Sequence, residues 1–475
     1  MTTATKPTRV LQIAAALFAV FAALPASALV DPDATQGTKD LYALLQKIDK
    51  EDGAAFGNQN AFVNGMYADG SVWYYSGAAN AYPATDIQNL CGIQPALAAW
   101  DLNEFAMTTG SWCDANIATI AKASDMGVIC CLSFHENNPV TGGNYSDTKL
   151  NADDILPGGA YHAAYEAQWS KAADAIVRLV RSDGTPVPVL LRPMHENSDS
   201  WFWWGTKIPN DKYIALWKWI VTYLRDTRGL HNILYVFNSG MVTSETQFLA
   251  RWPGDDYVDV ASCDVYMTDV ASAAALTAPL AVTIKVAEEK GIPAALAEVG
   301  CNATGGMAGT KLANWWTSKV LTPLRDADQF RHIAYIMGWA NWGLSQYHIP
   351  YPGEKNAADF TTYLRSDEIY LLDSLNSKAV WTKHARLGWI ETEKYPWVYS
   401  TNHGWEYMYG PFNSKDNGDW LYDFTLGWLW TSDSLYPYFW SSTRGTLYYS
   451  NTTNDGIRWF YNYSAAKWES VPLSM

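Results

Sequence analysis

The chain has 475 residues, enough at ~150 per domain for two to four domains or for one large barrel plus a smaller module. Hydrophobic residues make up 48% and charged residues 17%, which excludes disorder over most of the length. Lys+Arg 33 against Asp+Glu 48 gives a formal net charge of −15 with no basic stripe; a phosphate backbone is repelled, nucleic acid is excluded as a partner, and a neutral polymer remains compatible. Aromatic content is high at 14%, with Trp 24, and either core packing or stacking on flat ligands such as sugar rings can use it.

The N-terminus comes first in chain order. Lys6 and Arg9 precede an apolar run from Val10 to Leu24, and Ala26, Ser27 and Ala28 supply small residues for cleavage. This pattern predicts a secretory signal over residues 1–28, the alternative being a retained anchor. No later stretch approaches ~20 uninterrupted apolar residues, so no membrane span is expected. A secreted, periplasmic or cell-surface location follows. Export permits disulfides among Cys91, Cys113, Cys130, Cys131, Cys263 and Cys301. Cys91 and Cys113 could pair. Cys130 and Cys131 should point to opposite faces of a strand, and buried free thiols are the alternative. Neither a C-x-x-C pair nor a His cluster suggests a metal, and no cofactor is expected.

Eight strand-like runs follow: 54–57, 95–104, 127–135, 187–196, 232–238, 258–266, 293–300 and 332–342. Amphipathic helical stretches lie between them, at 168–180, 213–224, 272–290 and 312–324. This alternation predicts a (β/α)8 TIM barrel over residues 31–386, with a doubly wound open sheet as the alternative. No G-x-G-x-x-G follows the first strand, which disfavours a dinucleotide fold. Polar, ionisable or aromatic residues end the runs: Asp101, His135, His195 and Glu196, Asn238, Asp264 and Tyr266, Glu298, Trp339. In a barrel these ends share one face, where the active site forms.

After Arg386 the helical period vanishes. Residues 395–475 hold eight Trp, eleven Tyr and four Phe. Leu387-Gly388-Trp389-Ile390 recurs as Leu426-Gly427-Trp428-Leu429. Tyr395-Pro396, Ser400, Gly404 and Tyr407 recur at Tyr436-Pro437, Ser441, Gly445 and Tyr448. Residues 420–425 (WLYDFT) recur as 459–464 (WFYNYS). Two copies of an aromatic β unit, separated by turn-formers, predict a small all-β repeat domain at 387–475. Its aromatics either pack its own core, as in a structural or cell-surface attachment module, or bind glycan.

The chemistry points to the barrel. A glycosidase needs two carboxyl groups, and Glu196 and Glu298 are the natural pair at strand ends. Arg192 and His195 precede Glu196 and can tune it. The block Trp201-Phe202-Trp203-Trp204-Gly205 can desolvate an acid and offer sugar platforms, although Trp203 and Trp204 serve equally as core.

The segment Leu190–Gly205 (LLRPMHENSDSWFWWG) resembles the acid/base signature of glycoside hydrolase family 26, best known for endo-β-1,4-mannanases. Further motifs agree in order: Ser133-Phe134-His135 with Asn138-Pro139, Asp264-Val265-Tyr266, Ala297-Glu298-Val299-Gly300 and Trp339-Ala340-Asn341. The resemblance covers residues 50 to 365. It implies a retaining (β/α)8 enzyme in which Glu196 is acid/base and Glu298 the nucleophile. It further implies that Tyr266 positions Glu298, His135 contacts the −1 sugar, and His195 shapes the central subsite. Trp201 would be a platform near the cleavage point, Trp339 the −1 floor, and Arg192 the anchor of the carboxylates, or a purely structural residue. Glu136, in a second His-Glu-Asn, lacks the Arg-Pro lead and reads as a loop acid or subsite contact. Ala340 stands where many mannanases of the family carry Arg. That leaves β-1,3-xylan and mixed-linkage glucan as alternative substrates beside β-mannan, and a non-catalytic carbohydrate-binding protein as the alternative function.

Overall fold

The computed structural model describes residues 29–75 and 85–378, and in the C-terminal part 381–384, 387–391, 396–400, 402–409, 418–432, 434–453 and 456–473. The signal segment predicted at 1–28 lies outside them. No helix among the described residues is long and apolar enough to cross a membrane.

Eight parallel strands form the N-terminal part: β1 (Ala54–Gln59), β2 (Leu97–Asp101), β3 (Ile129–Ser133), β4 (Val189–Arg192), β5 (Ile233–Ser239), β6 (Val260–Met267), β7 (Ala294–Cys301) and β8 (Tyr335–Gly338). Each pairs with the next, and β8 pairs back onto β1 with Ala55 opposite Tyr335 and Asn58 opposite Gly338. The sheet is therefore closed, as the barrel reading required, and the open doubly wound alternative is excluded. The eight predicted runs each overlap one of these strands, with ends shifted by one or more residues. Their continuous apolar character follows from burial on both faces. Leu97, Ala99, Cys131, Leu190, Val236 and Met337 fill the interior, while Phe56, Trp100, Cys130 and Leu132 face the helices. Gly57 lets β1 approach β2, since a Cβ there would lie 1.6 Å from the Leu97 carbonyl oxygen.

The predicted helices form with shifted ends. The stretch at 168–180 overlaps a helix over His162–Val177, that at 213–224 begins at Asn210, and that at 272–290 spans Ala274–Lys290. The stretch at 312–324 instead becomes a wide turn over Thr317–Leu321 followed by a short helix over Thr322–Asp326. Pro323 lacks the N–H that would continue the regular ladder, so the backbone widens before it.

All six cysteines are buried free thiols. The pairing considered for Cys91 and Cys113 is not formed. The Cys91 thiol faces the Ile87 carbonyl at 3.2 Å, and the Cys113 thiol faces the Phe105 carbonyl at 2.7 Å. Cys130 and Cys131 do point to opposite faces of β3.

The C-terminal part is one antiparallel sheet of ten strands in sequence order: β9 (Trp381–His384), β10 (Gly388–Glu391), β11 (Trp397–Ser400), β12 (Gly404–Tyr409), β13 (Asp419–Asp423), β14 (Gly427–Thr431), β15 (Tyr438–Ser441), β16 (Gly445–Thr452), β17 (Ile457–Asn462) and β18 (Lys467–Pro472). The sequence repeat has a structural counterpart. Gly404 and Gly445 both take positive φ, at 82° and 72°, in the turns opening β12 and β16. The Asp423 carboxylate accepts from the Thr425 and Leu426 amides, and the Asn462 side chain accepts from the Ala465 amide. Tyr395 lies outside the described residues.

This sheet curls. The His403 ring, at the start of β12, lies 5.4 Å from that of Phe439 in β15 and 6.4 Å from that of Phe460 in β17. In a flat sheet five strands would put β12 and β17 ~24 Å apart. The inner face is mostly aliphatic, with Val398, Leu421, Leu429, Leu447 and Val471 around Phe439 and Phe460. It also buries an Arg458–Asp423 ion pair. Most of the tryptophans are therefore not this domain's core; they take the alternate, outward positions.

Candidate active site

All eight residues singled out from the sequence gather at the C-terminal end of the barrel strands. Arg192 closes β4, Tyr266 lies in β6, and Glu298 lies in β7. His135, His195, Glu196 and Trp339 follow strand ends within a few residues, and Trp201 lies further along the loop after β4.

The centre is a charged network held by Arg192, which is fully buried. Its guanidinium donates to Asp264 at 2.7 Å and to the Oε1 of Glu298. Tyr266 donates its hydroxyl to the Oε2 of Glu298 at 2.7 Å. Both oxygens of Glu298 are thus occupied by donors that fix its orientation.

Glu196 is set differently. Its backbone is left-handed, with φ 50°, as is that of Met194, with φ 45°. Such conformations are costly for non-glycine residues and persist only where surroundings impose them. Here Asn238, at the end of β5, accepts the Glu196 amide at 2.7 Å and donates to Asp264 at 2.8 Å. The Glu196 side chain accepts the Trp201 indole N–H at 2.6 Å. Burial, and then the charges of Asp264 and Glu298, push its pKa well above the usual carboxylate range. Glu196 is thus biased towards the protonated form that a general acid needs, beside a second carboxyl gripped by Arg192 and Tyr266.

One carboxylate oxygen from each of Glu196, Asp264 and Glu298 lies within 4.8 Å of the others. Among the described residues this is the group that has the composition to hold a cation. Arg192 already supplies positive charge to two of its three members.

Around this centre stands an aromatic and imidazole wall. His135 pairs through Nδ1 with Asp101 at the end of β2. Its ring meets those of His195 at 4.6 Å, Tyr145 at 4.9 Å and Phe202 at 5.4 Å, and that of Trp339 at 5.9 Å. His195 is held neutral by burial and then by the neighbouring Arg192 guanidinium. Trp201 is 50% exposed and free to meet a ligand, and Trp342 beyond Trp339 is 41% exposed.

Several assignments sharpen. Trp203 and Trp204 are fully buried, and their indoles donate to the carbonyls of Glu136 and His195. They are core residues that brace the loop, not ring platforms. Glu136 turns away from the centre, buried with Tyr165 and Trp169, where desolvation raises its pKa and keeps it neutral. Asn238 and Asp101 carried only a strand-end signal in the sequence, yet they orient Glu196 and His135. Ala340 is fully buried beside Asn341, whose amide donates to Asp86 and Ile349.

Trp201→Phe tests the electrostatics. The indole N–H favours the ionised form of Glu196, so its removal raises the pKa further. The acid form then persists to higher pH, and the basic limb of the kcat/KM profile should move to higher pH. A downward shift contradicts the assignment of this hydrogen bond.

A parallel barrel with paired carboxylates after β4 and in β7, one desolvated and one ion-paired, has the architecture of a retaining glycosidase. The model of glycosyl hydrolase family 26 matches residues 30–327, and the chain belongs to that family. A mannan endo-1,4-beta-mannosidase of Bifidobacterium adolescentis is 32% identical over 363 residues, covering 71% of this chain and 35% of that protein. The chain thus spans about a third of that relative's length. A mannan endo-1,4-beta-mannosidase of Bacillus subtilis is 29% identical over 259 residues, half of this chain and 67% of that protein. Among solved structures, a modular endo-beta-1,4-mannanase from Cellulomonas fimi aligns with a TM-score of 0.68 at 27% identity, covering 94% of this chain and 99% of that one. The catalytic domain of a Bacillus sp. JAMB-750 mannanase of the family aligns with a TM-score of 0.66 at 29% identity, covering 74% and 95%.

Proposed function

We propose that the chain is a secreted, retaining endo-β-1,4-mannanase. The observation that carries the chemistry is that one carboxyl oxygen of Glu196 and one of Glu298 lie within 4.8 Å of each other, too close for an intervening water between well-separated carboxyls. Retaining enzymes hold their carboxyl groups ~5–5.5 Å apart, whereas inverting ones leave ~6.5–9.5 Å for a water. In the first step Glu298 attacks the anomeric carbon as the bond to the leaving oxygen breaks, and Glu196 gives that oxygen its proton. In the second step Glu196, now ionised, takes a proton from water, which displaces Glu298 and releases the sugar. Arg192 and Tyr266 orient Glu298 throughout, and His135, Trp339 and Trp201 offer the sugar its surfaces. The relatives named above are mannan-cleaving proteins, which supports mannan as the polymer. The N-terminal segment of Lys6 to Ala28 supports export.

The test is a hydrolysis screen over mannan, galactomannan, β-1,3-xylan and mixed-linkage glucan. Mannan is expected to be cut fastest, with viscosity falling well before reducing ends accumulate, as internal cleavage requires. Faster cleavage of xylan or glucan would give Ala340 the meaning of a substrate change. Binding without any cleavage would overturn the catalytic reading.

A further inference from the structure

The curled C-terminal sheet keeps its charged strand residues off its outer face. From β11 to β18 the charged strand residues, Glu406, Asp419, Asp423, Arg458, Lys467 and Glu469, share the inward register, and among the described residues no Asp, Glu, Lys or Arg takes an outward one. The outward register is aromatic instead. Tyr409, Trp420, Trp430 and Trp440 stand opposite one another across four successive strands. Tyr438, Tyr448, Tyr461 and Trp468 do the same across β15 to β18. A third ladder runs through Trp397, Tyr407, Tyr422 and Trp428. The sheet's stability does not explain these rings, because its interior is filled from the other side.

We propose that this face binds a neutral polysaccharide, namely the β-mannan assigned above as substrate, and so holds the barrel against insoluble polymer; the choice of mannan rests on that assignment. Three properties favour this occupant. The face is uncharged, and so is mannan, so neither loses ion hydration on contact. The rings keep much of their area open: Tyr409 is 68% exposed, Trp468 52% and Trp440 46%. Many meet edge to face, as Trp420 and Trp440 do at 5.8 Å, which leaves flanks for the C–H faces of pyranose rings. Finally, the aliphatic outward positions are confined to one corner, Ile457 opposite Pro472. A protein interface of this extent would draw on Met and Arg as well as aromatics, and this face has neither outside its inward register.

The test uses the full chain and the variant Trp420→Ala/Trp430→Ala/Trp440→Ala, with Trp440→Phe as a ring-keeping control. Each is partitioned at low temperature between buffer and insoluble mannan, cellulose or chitin. Depletion of the triple variant on mannan should weaken by at least about tenfold, while Trp440→Phe stays near wild type. Turnover of a soluble manno-oligosaccharide and thermal melting should be unchanged, which separates lost binding from lost folding. Equal retention of the triple variant overturns the proposal, as does retention of the wild type on cellulose or chitin but not mannan. A dimer that the substitutions split, with mannan retention unchanged, would assign the face to a second copy of the chain. If the barrel fails to cut mannan while retention still depends on these rings, the assigned activity falls and the binding face stands.

Discussion

Glu298→Ala should lower mannan turnover by at least about four orders of magnitude. The side chain is the one carboxylate in the site that receives both a guanidinium and a phenol. Removing it leaves Glu196 able to donate a proton but leaves nothing to attack the anomeric carbon. Azide can enter the vacated space and attack from the same side, giving the α-glycosyl azide from an activated β-mannoside. Glu196→Ala should behave differently. An activated leaving group needs no proton, so the glycosyl enzyme still forms, and azide attacks it from the opposite face to give the β-glycosyl azide. The two products separate nucleophile from acid/base. The same azide from both variants would contradict the assignment.

Arg192→Met carries the second large effect, and it falls on folding. Arg192 is fully buried and joins Asp264 to Glu298. The thioether keeps much of the volume but leaves two buried carboxylates facing each other without a counter-charge. Breaking a buried pair in this way costs ~3–5 kcal/mol. Urea unfolding should show a loss of that order, partly recovered at low pH, where protonation relieves the repulsion. The sign follows from the removed cation, which lowers the pKa of Asp264: without it that folded-state pKa rises further, so the penalty is largest above it and shrinks as pH falls through it. A loss below ~1 kcal/mol would show that Arg192 does not compensate these acids.

How far the site was legible in the sequence depended on whether a signal was local. The barrel strands were readable because burial on both faces produces unbroken apolar runs, and their polar ends mark one rim. Glu196 and Glu298 were found on that rule. Asn238 and Asp101 were visible there too, but nothing local says that Asn238 reaches the Glu196 amide or that Asp101 holds His135. Those contacts depend on neighbouring strands and on the left-handed backbone at Glu196. Trp203 and Trp204 could not be separated from Trp201 by position, since only the loop path decides which rings turn inward. In the C-terminal sheet composition misled in one respect. Aromatic richness fits a self-packed core, but strand alternation sends many of these rings outward and leaves the interior to Leu, Val, Phe and a buried ion pair.

The most direct test of the central account is the anomeric configuration of the first product. A soluble β-1,4-manno-oligosaccharide is mixed with enzyme and followed by proton NMR before mutarotation sets in. Double displacement through Glu298 and Glu196 predicts that the β-anomer of the new reducing end appears first and the α-anomer grows in later. Early appearance of the α-anomer would mean a single displacement by water and would contradict the pairing of these two carboxylates.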